Sequence, residues 1–326
     1  MRPVHLDDIH YIVTDENAAV SFWTEHFGAK EMAQPLVPFH FIRNVSVRLF
    51  DPTIVISSAG PYGSSSEKAD ARWRARQRVD PRPDLPPHYG VHRLALKTRL
   101  QNARQAALDA GLRILSSAVK LPHDPDADAF VIQGPDCNPV AIVVRNESEL
   151  HVPELELIPD YGIDHVQFLV KDCQATARFL TEVFFARQIG TSRGTAVVRV
   201  ADAILVLSEP EALGIERRDV EERDVERLQR FSVDHLAFLY TDIWPAVQNA
   251  QDLGHKFDVI QSSGDGARGL THAPARYRYF GKPSAYTAIS IMSPDRFAFE
   301  LVMVDGRSGP MVYFREPPVR PDVSRR

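Results

Sequence analysis

Four short apolar runs, IHYIV, VHRLAL, DHVQFLV and DHLAFLY, recur along the chain, and each is followed by a stretch of helical periodicity. Alternation and β-rich composition make each run a half-buried strand. After the third run, Ala177, Leu180, Thr181 and Phe184 fall at i, i+3, i+4 and i+7, a stripe that packs one helix face on a sheet. Paired apolar segments such as VSVRLF with TIVISS and TAVVRV with AILVLS, split by short polar turns, predict antiparallel hairpins. The chain therefore reads as four quarters, each a strand, a helix and three further strands.

The quarters are related by duplication. FWTEHFGAK at 22–30 matches FLTEVFFAR at 179–187, an offset of 157. GVHRLAL from Gly90 is set against SVDHLAF from Ser232, 142 residues on, and His92 is placed opposite His235, Asp109 opposite Asp252 and Gly111 opposite Gly254 at an offset of 143. GPDCNPVAIVV from Gly134 pairs with SPDRFAFELVM from Ser293 at an offset of 159. The expected division is an N-terminal half at 1–150, a C-terminal half at 160–306 and a loose, charged tail at 307–326. Each half is expected to form a curled mixed-sheet barrel with helices outside, an α+β fold. The charged stretch IERRDVEERDVERLQR and the Arg-rich segment 68–82 read as solvated connections between quarters.

Composition narrows the chemistry. With 44% apolar residues in 326, the chain can bury a sizeable core, and a net charge of −5 provides no basic field for nucleic acid or anionic membrane. The opening MRPVHLDDIH has no apolar signal segment and no run approaches the ~20 residues that span a bilayer, so a cytoplasmic location is expected. Only Cys137 and Cys173 occur, without a CxxC pair, so a metal would have to be held by His and carboxylate groups.

The second half supplies such groups. His165 and His235 open matched strands, and Glu300 lies in FAFELV, where burying an unpaired carboxylate costs several kcal/mol. Two imidazoles and one carboxylate suit divalent iron and leave positions open for substrate and oxygen. In the first half, Asp8 stands where His165 stands later and Ala141 replaces the Glu300 equivalent, so that copy reads as degenerate. His10, two residues from Asp8, faces the same way, and both become rival ligands if quarters one and four share a cavity.

The repeated βαβββ unit, the His-to-Asp spacing of His165 with Asp172 and His235 with Asp242, and the helix motifs FWTEHFGAK and FLTEVFFAR resemble the vicinal oxygen chelate superfamily over roughly residues 5–305. Within it, a complete triad in the second half is most similar to type I extradiol ring-cleaving dioxygenases, with some likeness to 4-hydroxyphenylpyruvate dioxygenase. That resemblance implies Fe(II), or Mn(II), at His165, His235 and Glu300, with a catechol- or hydroquinone-like substrate and O2. It also allows a metal-dependent isomerase or lyase, or a non-enzymatic binding module. An insertion between Gly254 and Ser293 carries candidate proton donors His272 and Tyr286, with Arg268, Arg276 and Lys282 as carboxylate partners. No nucleic-acid or membrane partner is expected, and a homo-oligomer is allowed.

Overall fold

The computed structural model describes residues 3–31, 44–48, 53–58, 87–145, 161–222, 232–255, 257–261, 277–279, 282–284 and 286–304. Four βαβββ modules follow one another. The first comprises β1 (Pro3–Val13), α1 (Glu16–Phe27), β2 (Lys30–Glu31), β3 (Asn44–Arg48) and β4 (Thr53–Ser58). The second has β5 (Gly90–Thr98), α2 (Ala103–Asp109), β6 (Ile114–Ser116), β7 (Asp128–Gln133) and β8 (Pro139–Val144). The third has β9 (Tyr161–Leu169), α3 (Cys173–Phe184), β10 (Arg187–Ser192), β11 (Thr195–Val200) and β12 (Ala203–Ser208). The fourth has β13 (Val233–Tyr240), α4 (Trp244–Asp252), β14 (Phe257–Gln261), the inserted hairpin β15 (Tyr277–Tyr279) and β16 (Lys282–Ser284), then β17 (Tyr286–Met292) and β18 (Ala298–Val304).

The α+β class and the two curled mixed sheets match expectation, but the modules partner differently. One eight-stranded sheet runs β14-β17-β18-β13-β1-β4-β3-β2 and joins modules one and four. The other runs β10-β11-β12-β9-β5-β8-β7-β6 and joins modules two and three. The halves therefore do not each build a barrel; an inner pair of modules is nested between the outer pair. Self-similarity identifies copies, and it leaves open which copy meets the free edge of which first strand. Here β1 lies antiparallel to β13 and β5 antiparallel to β9, while each module's last strand runs parallel to its own first.

The Asp seven residues into each repeat has a structural task. Asp15 accepts from the Ala18 amide, and Asp172 from the amides of Gln174 and Ala175, capping α1 and α3. Asp242 accepts from the Trp244 amide at 3.0 Å at the start of α4. Such a cap is worth about 1 kcal/mol. Module two has Leu100 at that place, and its helix is short, with no side-chain cap bond.

Strand alternation separates two environments. Ile9, Tyr11, Leu236, Phe238, Phe299 and Leu301 point to the helix side, where a single continuous core joins both sheets and all four helices. Phe299 sits at its centre, fully buried, with Phe168 of the inner sheet at 5.6 Å and Phe184 of α3 at 5.5 Å between ring centroids. The Tyr240 hydroxyl donates to the Phe184 carbonyl at 3.0 Å, stitching β13 to α3. Phe299→Ala is expected to lower unfolding free energy by about 3–5 kcal/mol in chemical denaturation. A loss under about 1 kcal/mol would show that the two sheets do not depend on this ring.

Candidate metal centre

Every first strand carries a β-bulge at the same place. Register jumps leave Asp7, His92, Asp164 and Asp234 as the extra residues, immediately before Asp8, Arg93, His165 and His235. A bulge aims two successive side chains away from strict alternation. In β13 it lets Asp234 reach its neighbour, so that Nδ1 of His235 lies 3.1 Å from the Asp234 carboxylate. In β9 Asp164 holds Nδ1 of His165 at 2.7 Å in the same way.

This register corrects one alignment. His235 precedes by two the residue facing Glu300, and Arg93 precedes by two the residue facing Ala141. Arg93, not His92, is therefore the counterpart of His235, and His92 matches Asp234.

The sheet also places the three expected ligands. His235 and Glu300 come together on the concave face of the outer sheet, with Nε2 of His235 at 3.6 Å from Oε1 of Glu300. His165 does not join them: it lies on β9 in the inner sheet, facing Ala95. The expected triad is thus split, because His165 belongs to a module that pairs with module two. Asp8 and His10 occupy the vacated neighbourhood. Asp8 and Glu300 both face Ala237 from opposite sides, and His10 is directly across from His235. Oδ1 of Asp8 lies 3.9 Å from Nε2 of His235, and the His10 ring meets the His235 ring edge-on at 4.6 Å.

The donors divide between the two nitrogens of His235. His10, Asp234 and His235 can each place a donor within 4.8 Å of the other two. Nδ1, however, is already engaged by Asp234, a carboxylate–imidazole contact that fixes ring orientation and leaves Nε2 toward Asp8 and Glu300. Oδ1 of Asp8 is buried and accepts no hydrogen bond from any described residue. Such an oxygen beside a second carboxylate and an imidazole nitrogen fits a divalent cation, whose charge would offset the two carboxylates.

Protonation in this cluster follows from burial and from the crowding of carboxylates. Burial first, and then the nearby Asp7 and Glu300, push Asp8 up to about 8 against the pull of His235. Burial opposes charge on His235, but Glu300, Asp234 and Asp8 outweigh it and raise the imidazole to about 9. Glu300 is raised, chiefly by burial.

The inner sheet carries the same positions with different contents. Arg93 bonds to Gln167 across the strands where His235 and His10 meet in the outer sheet, and Ala141 replaces Glu300. Leu121, with Val119 and Ala127, packs against Ala95, Ala129, Val131, Ala141 and Val143, filling the concave face. The inner cup is plugged by its own connection between β6 and β7.

Of the other expected residues, Tyr286 lies on β17 opposite Val304, on the strand whose Ser290 faces Glu300. Lys282 begins β16, while His272, Arg268, Arg276 and the tail at 307–326 lie outside the described residues. Asp234 was not anticipated; a DH dipeptide in both His-bearing strands is the signal that points to it. No helix among the described residues is long and apolar enough to cross a membrane.

Solved structures share this architecture. Glyoxalase I from Zea mays aligns at a TM-score of 0.57 and 16% identity, covering 92% of each chain. A candidate dioxygenase from Bacillus subtilis aligns at 0.58 and 13% identity, covering 93% of this chain and 86% of that one. The chain has the fold of these structures. At such identities the likeness establishes the architecture alone. No protein-family model matches the sequence, and neither does any curated protein.

The shifts set a pH dependence for the cluster of Asp8, His235 and Glu300. A proton stays on folded Asp8 to about pH 8 but leaves the unfolded chain near 3.8, so stability falls as pH rises between these values. His235 acts in the same direction: its contribution is complete below 6.5 and lost through about 9. Asp8→Asn is therefore expected to stabilise the metal-free protein at pH 8 by about 1–3 kcal/mol and by far less at pH 4. Denaturant titrations at the two pH values check this, and equal effects at both would contradict it.

Proposed function

We propose that the chain is a divalent-metal enzyme whose small substrate grips the ion through two neighbouring oxygens, with His235, Glu300 and Asp8 as protein ligands. The observation that carries this reading is the buried, unbonded Oδ1 of Asp8 beside an imidazole that also faces Glu300. When bound, the ion would polarise a carbonyl or enolate oxygen as a Lewis acid.

The donor set favours a redox-neutral reaction, an isomerisation or lyase step. Two carboxylates and one neutral imidazole would balance a divalent charge, and a carboxylate at the edge of the site could take the carbon-bound proton of the substrate. Asp234 keeps the His235 ring in place, and His10, mostly buried at its edge, walls the site from the β1 side. The apolar neighbours Ala237 and Ala298 leave the floor free of competing donors.

The iron-dependent, ring-cleaving dioxygenase is the second reading, and His10 favours it. With His165 on the other sheet, a set of two imidazoles and one carboxylate would be His10, His235 and Glu300, matching the donor types of oxygen-activating iron centres. Asp8 would then take the hydroxyl proton of a catechol or hydroquinone.

Metal titration followed by paired assays separates these readings. His235→Ala and Glu300→Gln are expected to weaken Mn(II) or Fe(II) binding by at least about tenfold, while His165→Ala leaves binding at this centre intact. Metal-loaded protein under nitrogen is expected to exchange the carbon-bound proton of an α-hydroxy ketone with deuterated solvent. Oxygen uptake with catechols or hydroquinones, lost on His10→Ala, would instead establish the second reading. Binding that depends on His165 but not on Glu300 would overturn both.

A further inference from the structure

We propose a second cation site, enclosed in the plugged cup of the inner sheet, in which a Zn(II)-class ion is held by Nε2 of His165 and Nδ1 of His123. The site is independent of the outer-sheet centre and uses a residue, His123, that comes from the plug itself.

Both nitrogens are buried, and neither has a hydrogen-bond partner among the described residues. The His165 side chain is 0% exposed. The two rings meet edge-on with centroids 4.4 Å apart. His123, Asp164 and His165 can each offer a donor atom within 4.8 Å of the other two.

The surroundings settle which atoms are free. Asp164 forms a two-pronged ion pair with Arg145, at 2.9 and 3.0 Å, and also bonds Nδ1 of His165. It is therefore an acceptor, so His165 carries its proton on Nδ1 and turns a bare lone pair on Nε2 into the cup. Arg145 is shared between Asp164 and Asp124, so two carboxylates face one guanidinium.

Two neutral imidazole nitrogens, one braced by a carboxylate, are suited to zinc or its neighbours rather than to calcium or magnesium. Leu121 and its apolar partners fill the space where a substrate would enter. The ion would therefore be structural, tying the segment at 117–127 to β9 over the face that corresponds to the open centre of the other sheet.

The test uses full-length protein in which Asp8→Ala and Glu300→Gln disable the outer centre, so that its outcome does not depend on the proposed activity. Calorimetric titration with Zn(II) is expected to show one ion per chain, with a rise in thermal midpoint. Adding His123→Gln should weaken binding at least tenfold and remove that rise, and His165→Gln should do the same. His123 is only partly buried, so its variant is expected to fold even if the His165 variant does not. Co(II) should give a ligand-field spectrum that the His123 variant lacks. Absence of zinc binding in the disabled background, or binding unchanged by His123→Gln, would overturn the proposal.

Discussion

The antiparallel pairing of β1 with β13 governs the rest of the molecule. It sets His10 opposite His235 and Asp8 opposite Ala237, and through Ala237 it brings Asp8 to the same row as Glu300. A shift of one residue would turn these polar groups into the aromatic core and expose Ile9, Leu236 and Phe299 on the cup. The core and the polar cluster of Asp8, His10, His235 and Glu300 therefore enforce the same register from opposite faces. The bulges at Asp7 and Asp234 add what a regular strand cannot, two successive side chains working on one site.

Much of the architecture was legible in the sequence because it is written four times. The modules, their helices and the α+β class follow from apolar periodicity and from the repeated motifs. His235 and Glu300 were legible as partners because both belong to one module, whose first and last strands lie side by side. His165 was misplaced for a physical reason: similarity between copies carries no information on which free edges pair. Asp8 read as a position in a degenerate copy and, with His10, as a rival ligand if quarters one and four share a cavity, and the outer sheet does join those two quarters. The alignment of His92 with His235 failed by one position, since identity of side chain outweighed the strand register that places Arg93 there.

The two cups show how one scaffold serves opposite ends. In the outer sheet the row Asp8, Ala237, Glu300 keeps charged groups on a face with small floor residues. In the inner sheet the matching row His165, Ala95, Ala141 lies beneath Leu121, and an Arg93–Gln167 bond replaces the facing imidazoles. The exchange of a carboxylate for Ala141 takes a charged group out of that row and makes room for apolar packing. Arg145 with Asp124 and Asp164 then holds the edge of the plug.

Nesting one pair of modules inside the other has a consequence for how the molecule comes into being. The central strands of the inner sheet, β5 and β9, are joined through module two alone, so that sheet needs only a continuous internal stretch of chain. The outer sheet must wait for the last module to emerge before β1 finds its neighbour, a closure between opposite ends of the polypeptide. During synthesis the first strand is left with one edge unpaired, and its Asp7–Asp8 bulge and interrupted alternation blunt that edge against other chains. The bulge that shapes the polar cluster thus also guards the strand while it is alone.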